Sequence, residues 1–158
     1  MSAAATDVWY LVRRNDTKAI KKAIESNPDL LNEKSFNGST LLGLAALCNK
    51  PETVQLLIDL GANINNAENN DRITPLRYAL RHNASRVTTI LLENRAWIFS
   101  GDLHCAATNN SHQNIKQLVN YGADVNEKDE KGKTPLMLAQ AANKPLNVRA
   151  LKKCGATE

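Results

Sequence analysis

The chain is poor in aromatic residues, glycine and cysteine, and each shortage excludes something. Aromatics make up 4% of its 158 residues and apolar residues 42%, so a core must be built from Leu, Ile, Val and Ala. Side chains of that kind favour stacked helices over a β-sandwich. Seven glycines leave few stretches of backbone able to approach a phosphate or cofactor closely. Three cysteines, Cys48, Cys105 and Cys154, are odd in number and far apart, and read as free, buried thiols of a reducing compartment. No run of about 18 apolar residues is present to cross a membrane. The residues from Met1 to Asp7 lack the basic and apolar regions of a secretory leader, so a cytoplasmic protein is expected, or one exported without such a leader if it acts as an effector. His82, His104 and His112 are scattered, and no phosphate loop, nucleophile elbow or Cys-x-x-Cys occurs. The expectation is a protein that is not an enzyme and holds no metal or cofactor.

The balance of charge is mildly basic, with 20 Lys and Arg against 16 Asp and Glu, a formal +4. Acidic residues interleave with the basic ones, which makes nucleic acid the weaker alternative as a partner. A chain of this length suits one domain, and burial of about 68–70% of its unfolded surface would need no staple.

What the sequence has in abundance is repetition. Gly-Ala recurs at 61, 122 and 155, with Arg95-Ala96 in the vacant slot, giving steps of 34, 27 and 33 residues. Asn15, Asn49, Asn83, Asn110 and Asn143 keep the same beat, as do Thr40-Leu41-Leu42, Thr74-Pro75-Leu76 and Thr134-Pro135-Leu136. Each unit reads as two helices. Thr74 is placed to cap the first, Pro75 occupies the position where a missing N–H is harmless, and Asn83 suits the left-handed residue that ends it. Val87, Ile90 and Leu91 then carry helical spacing on the second. Corresponding core positions are Leu42, Ala45, Ala46, Val54, Leu57 and Ile58 in the second unit and Leu136, Ala139, Ala142, Val148 and Leu151 in the last. Polar, turn-rich segments between units suit projecting two-stranded fingers.

The succession Gly-x-Thr-Pro-Leu, two small residues, a turn, Ile/Val-x-x-Leu-Leu and Gly-Ala-Asp-Val-Asn resembles the ankyrin repeat. Its fullest match joins Gly122-Ala123-Asp124-Val125-Asn126 to Gly132-Lys133-Thr134-Pro135-Leu136. The resemblance covers about residues 6–156. It implies an all-α solenoid of stacked helix-turn-helix pairs with short hairpin-like fingers, in one domain over 1–158. The expected units are about 6–34, 35–68, 69–99, 100–128 and 129–158, the first and last capping the stack with Lys18, Lys21, Lys22, Arg149, Lys152 and Lys153 as solvated faces. It also implies that His104 is a structural hydrogen-bonding residue, and that finger-tip residues Phe36, Asn37, Asn70, Asp71, Glu130 and Lys131 are candidate contacts.

One junction departs from the pattern. Ala62 to Leu76 spans 14 residues and Ala123 to Leu136 spans 13, but Ala96 to Leu103 spans only 7. Trp97 and Phe99 stand there in place of polar residues, either folding over the helix ends or exposed as partner anchors. Arg95 replaces a helix-ending glycine at a left-handed cost of about 1–2 kcal/mol, so that helix is expected to end differently. Five of the eight arginines, Arg72, Arg77, Arg81, Arg86 and Arg95, fall in the third unit. Arg77 and Arg81, with His82, are expected to line a concave groove and to favour an acidic partner. The function expected is binding of a protein by a chain that is a monomer when free. It would be a stoichiometric inhibitor or immunity-type protein of bacterial origin, that origin being suggested by 19 asparagines and abundant lysine. A host-directed effector or a scaffold adaptor is the alternative.

Overall fold

The computed structural model describes residues 3–36, 38–66 and 73–157. Among these described residues ten α-helices follow in pairs: α1 (Ala3–Arg14) and α2 (Thr17–Ser26), α3 (Leu41–Leu47) and α4 (Pro51–Asp59), α5 (Pro75–Arg81) and α6 (Ser85–Glu93), α7 (Asp102–Thr108) and α8 (His112–Asn120), α9 (Pro135–Ala141) and α10 (Pro145–Lys153). A 3₁₀ turn, Pro28–Leu31, follows α2. The odd-numbered helices pack on one another in one layer and the even-numbered helices in a second, each pair bridging the two layers. This is an all-α solenoid. Among the described residues only Ile73 makes a β-bridge, and the fingers between units are short. Two of them close through backbone bonds, Ser35 N–H to the Ser39 carbonyl (2.8 Å) and Asp129 N–H to the Lys133 carbonyl (2.9 Å).

Local chemistry sets the helix boundaries. Thr40, Thr74 and Thr134 each accept a hydrogen bond from the backbone N–H three residues on, at 3.1, 3.2 and 3.3 Å. Each satisfies one donor that the helix itself leaves open. Asn15, Asn49, Asn83 and Asn143 adopt left-handed backbone with φ between 51° and 59°. There the next N–H reaches back to a carbonyl inside the helix, as Ala84 does to Ala79 at 2.9 Å.

Asn110 breaks that series and is not left-handed. Asn109 before it is extended (φ −94°, ψ 173°), which leaves the end of α7 without the usual closure. The buried side chain of Asn147, one unit further on, fills the need. Its Nδ2 donates to the carbonyls of Ala106 (3.3 Å), Ala107 (2.8 Å) and Asn109. Open carbonyls buried between layers would be costly, and the borrowed amide removes that cost.

The core is one continuous aliphatic cluster running from Val8 to Leu151. Leu42, Leu76, Leu103 and Leu136 occupy the same place in successive units, each about 1% exposed. Ala45, Ala46, Ala106 and Ala107 are fully buried and let neighbouring helices approach closely. Ile58, Ile90, Ala142 and Val148 differ from expectation: they are only half-buried, the first, second and fourth on helices of the second layer and Ala142 at the end of α9. The three cysteines are half-buried free thiols, less enclosed than their helical positions suggest.

Candidate functional site

The short connection between the third and fourth units is the most individual part of the molecule. Arg95 does take up the left-handed conformation (φ 64°), contrary to expectation. Its N–H donates to Leu92 (3.0 Å) and that of Ala96 to Leu91 (2.9 Å), while Ala96 is buried. That closure holds a conformation costing about 1–2 kcal/mol for a residue with a side chain. At the other end of the connection Gly101, also left-handed (φ 86°), replaces the capping threonine and offers no side-chain cap to α7.

Asp102, the first residue of α7, instead holds the connection itself. One carboxylate oxygen accepts from Phe99 N–H at 2.8 Å and the other from Arg77 Nε at 2.7 Å, while Arg77 Nη2 donates to the Ser100 carbonyl at 2.9 Å. The Asp102 side chain is fully buried and that of Arg77 is 23% exposed. Burial pushes the Asp102 carboxyl above the ordinary aspartate range, against the pull of the Arg77 guanidinium and the Phe99 N–H. Arg77, expected to face a partner, is thus committed inward and clamps the connection onto α5. Arg86 is likewise engaged, donating to Glu52 at 3.0 Å.

A second regularity is interrupted here. Elsewhere an asparagine carbonyl ties each loop to the next: Asn32 accepts from Asn63 N–H (3.1 Å), Asn65 from Trp97 N–H (2.8 Å) and Asn126 from Thr157 N–H (2.9 Å). Phe99 occupies the equivalent position of the third unit and cannot accept such a bond. The loops of the third and fourth units are therefore not joined in this way, and a cleft of about 610 Å³ lies between them.

Trp97 is 62% and Phe99 43% exposed, their rings edge to face with centroids 6.1 Å apart. Neither ring closes over the core. Tyr121, 50% exposed on the far side of the cleft, was not among the expected contacts, although its place immediately before Gly122 gives it, at the end of α8, the position that Asn94 holds at the end of α6. Phe36, at a finger tip, is 92% exposed. Arg81 and His82 are exposed at the end of α5, and Lys131 is exposed at its own finger tip. Asn37, Asn70, Asp71 and Arg72 lie outside the described residues.

Chemistry at other polar groups is structural in character. His104 is buried and its Nε2 lies 3.0 Å from the Lys133 carbonyl, pinning the last finger to α7. Burial raises the Cys105 thiol above its ordinary range even with Arg77 and Arg81 nearby, which opposes a nucleophilic role. Among the described residues no three His, Cys, Asp or Glu side chains converge as a metal site, and no helix is long and apolar enough to cross a membrane.

Paired helices stacked in two layers, with tight turns between successive pairs, define a helical repeat solenoid of the interaction-module class. The chain belongs to the ankyrin-repeat family: the family model for ankyrin repeats in three copies matches residues 8–102 and again 103–157. Relatives include the neurogenic locus notch homolog protein 1 of Mus musculus, 32% identical over 146 residues, which are 88% of this chain and 6% of that protein. The protein of the same name from Xenopus laevis is 34% identical over 131 residues, 78% of this chain and 5% of its own length. An ankyrin repeat protein of Fowlpox virus is 31% identical over 108 residues, 65% of this chain and 24% of the viral protein. The chain thus spans a small part of each relative. Ankyrin repeats are protein-interaction modules and as a family not catalysts.

Proposed function

We propose that this chain binds a protein partner through the aromatic flank around Trp97, supported by the Phe36 and Lys131 finger tips and the Arg81–His82 end of α5, and that it acts stoichiometrically by occluding what it holds. Exposure of Trp97 and Phe99 on a backbone pinned at both ends is the observation that carries this reading. Trp is enriched among residues that dominate interfaces, and an anchor already held in place loses little freedom on binding. The repair reading of these rings is less well supported, because both stay largely exposed and neither joins the aliphatic core cluster. An inhibitor and a scaffold adaptor would share this surface. A bacterial, immunity-type inhibitor is the version suggested by composition, whereas the relatives named above are animal and viral proteins.

The test is affinity capture from the source cell with wild-type, Trp97→Ala and Phe36→Ala baits of equal thermal stability. A partner held by wild type and lost by the Trp97 variant is expected. Capture indifferent to both substitutions would move the contact elsewhere.

A further inference from the structure

The cleft at the interrupted junction differs in charge from the rest of the molecule. Its apolar surface comes from Ile98, Phe99 and Tyr121, with Leu103 at its base. Around it stand the carboxylates of Glu93, Asp124 and Glu127 against one guanidinium, that of Arg95. Three negative groups and one positive leave a formal −2 at this place, in a chain whose total is +4. Ion pairs among the described residues involve Lys21, Arg77 and Arg86, and none includes these three carboxylates. Asp124 takes one internal bond, from Asn126 N–H at 2.9 Å, which leaves its second oxygen available.

We infer that this cleft docks an extended peptide segment of the partner, carrying an apolar side chain flanked by lysine or arginine. The inference rests on the reading of the chain as a protein-binding module and adds the chemistry of what it binds. Four features favour that occupant. The cleft's volume of about 610 Å³ falls in the range of about 300–1,000 Å³ typical of ligand sites. The faces of Phe99 and Tyr121 attract a cation as well as an apolar group. Unpaired carboxylates steer basic segments inward and repel both acidic peptides and nucleic acid. Finally, the wall is already fixed by the Asn65–Trp97 and Asp102–Phe99 bonds, so docking orders little of it. The acidic partner expected from the arginine count is not favoured here, since Arg77 and Arg86 are already paired.

Binding is tested on the full chain by fluorescence anisotropy with three labelled peptides, each with a central leucine flanked by lysine, serine or glutamate. The lysine-flanked peptide should bind saturably and the glutamate-flanked one should not. Glu93→Lys combined with Asp124→Asn, both at exposed positions, should weaken binding about ten-fold or more without moving the unfolding temperature, and raising salt from about 0.05 to about 0.3 M should weaken wild-type binding as well. Absence of saturable binding, equal binding of the glutamate peptide, or indifference to the double substitution would overturn the inference. So would self-association in sedimentation that Glu93→Lys abolishes, which would assign the cleft to a second copy. A displayed library of random peptides separates this failure from that of the binding-module reading. Selected sequences that depend on Phe36 or Trp97 but not on Glu93 would sink the cleft alone, and a library yielding no selected sequence would sink both.

Discussion

Replacing Arg77 by alanine should destabilise the protein strongly, and by an amount that shrinks with acid. The substitution removes the 2.7 Å bond to a fully buried carboxylate and the donor to the Ser100 carbonyl. Breaking a buried pair from one side costs about 3–5 kcal/mol, which for a chain of this length lowers the unfolding temperature by about 6–20 °C. The sign of the pH dependence follows from Asp102, whose folded-state pKa already lies above the ordinary range. Arg77 is the largest influence pulling it down, so its removal raises that pKa further. A group raised in this way holds its proton in the folded state at a pH where the unfolded chain has lost it. Its contribution is therefore most favourable in acid and is lost as pH rises through the folded value. The gap between wild type and variant should be widest near neutrality and narrowest at the acid end, where Asp102 holds its proton in both folded proteins. Urea unfolding followed by circular dichroism from pH 4 to pH 7 measures it. Glu52 and Asp129, held below their usual range by backbone N–H bonds, lose their contributions in acid in both proteins and cancel in the difference. Arg77→Met, which keeps much of the side-chain stem, separates lost charge from lost packing. A loss under about 1 kcal/mol at pH 7, or a gap constant with pH, would refute the role given to the pair.

Three further outcomes are expected. Leu136→Ala should cost about 2–5 kcal/mol in urea unfolding, because the side chain is 1% exposed between layers, and a surface-like loss would show the register to be mistaken. Arg95→Gly should raise stability by about 0.5–1 kcal/mol, the left-handed penalty less glycine's entropic cost, and should also strengthen binding of the lysine-flanked peptide by removing the cleft's one cation; a destabilised variant would contradict the first part. Asn147→Leu should cost about 1–3 kcal/mol through the carbonyls it abandons at the end of α7, and unchanged protection of the α7–α8 turn in hydrogen exchange would argue against that cap.

The sequence displayed the architecture because the same local chemistry recurs in unit after unit. A threonine cap, a first-position proline, a left-handed asparagine and a Gly-Ala pair each act within a few residues, so spacing alone locates them. Non-local substitutions were invisible for the opposite reason. Nothing beside Asn110 announces that its helix is closed by Asn147, 37 residues later. The arginine concentration pointed to a surface, yet Arg77 turns inward because the Gly101-Asp102 replacement creates a buried carboxylate 25 residues away. Trp97 and Phe99 were marked by their departure from the repeat, whereas their exposure depended on how the short connection lies over the helix ends, which spacing does not disclose. Tyr121 carried a signal that was available, an aromatic at the helix end facing the short connection.

Loss of the asparagine tie, through Phe99, and gain of the Arg77–Asp102 clasp, through the Gly101-Asp102 replacement, meet in the same short connection, and together they predict linkage between binding and the stability of this junction. In a solenoid, units are held mainly by their immediate neighbours, so the third-to-fourth junction is strengthened by whatever bridges its two loops. A peptide in the cleft touches Phe99 on one side and Tyr121 and Asp124 on the other. At a concentration of 100 times its Kd it should stabilise the folded chain by about 2.7 kcal/mol, the value fixed by mass action for a ligand that binds only the folded state. If unfolding is cooperative, the gain appears as a single displaced transition. If Arg77→Ala divides unfolding into two transitions, the peptide should shift only those steps in which the cleft is dismantled. A shift equal in size for the wild type and for the Glu93→Lys, Asp124→Asn protein would mean that the stabilisation arises elsewhere, and the junction would then be a structural repair with no binding role.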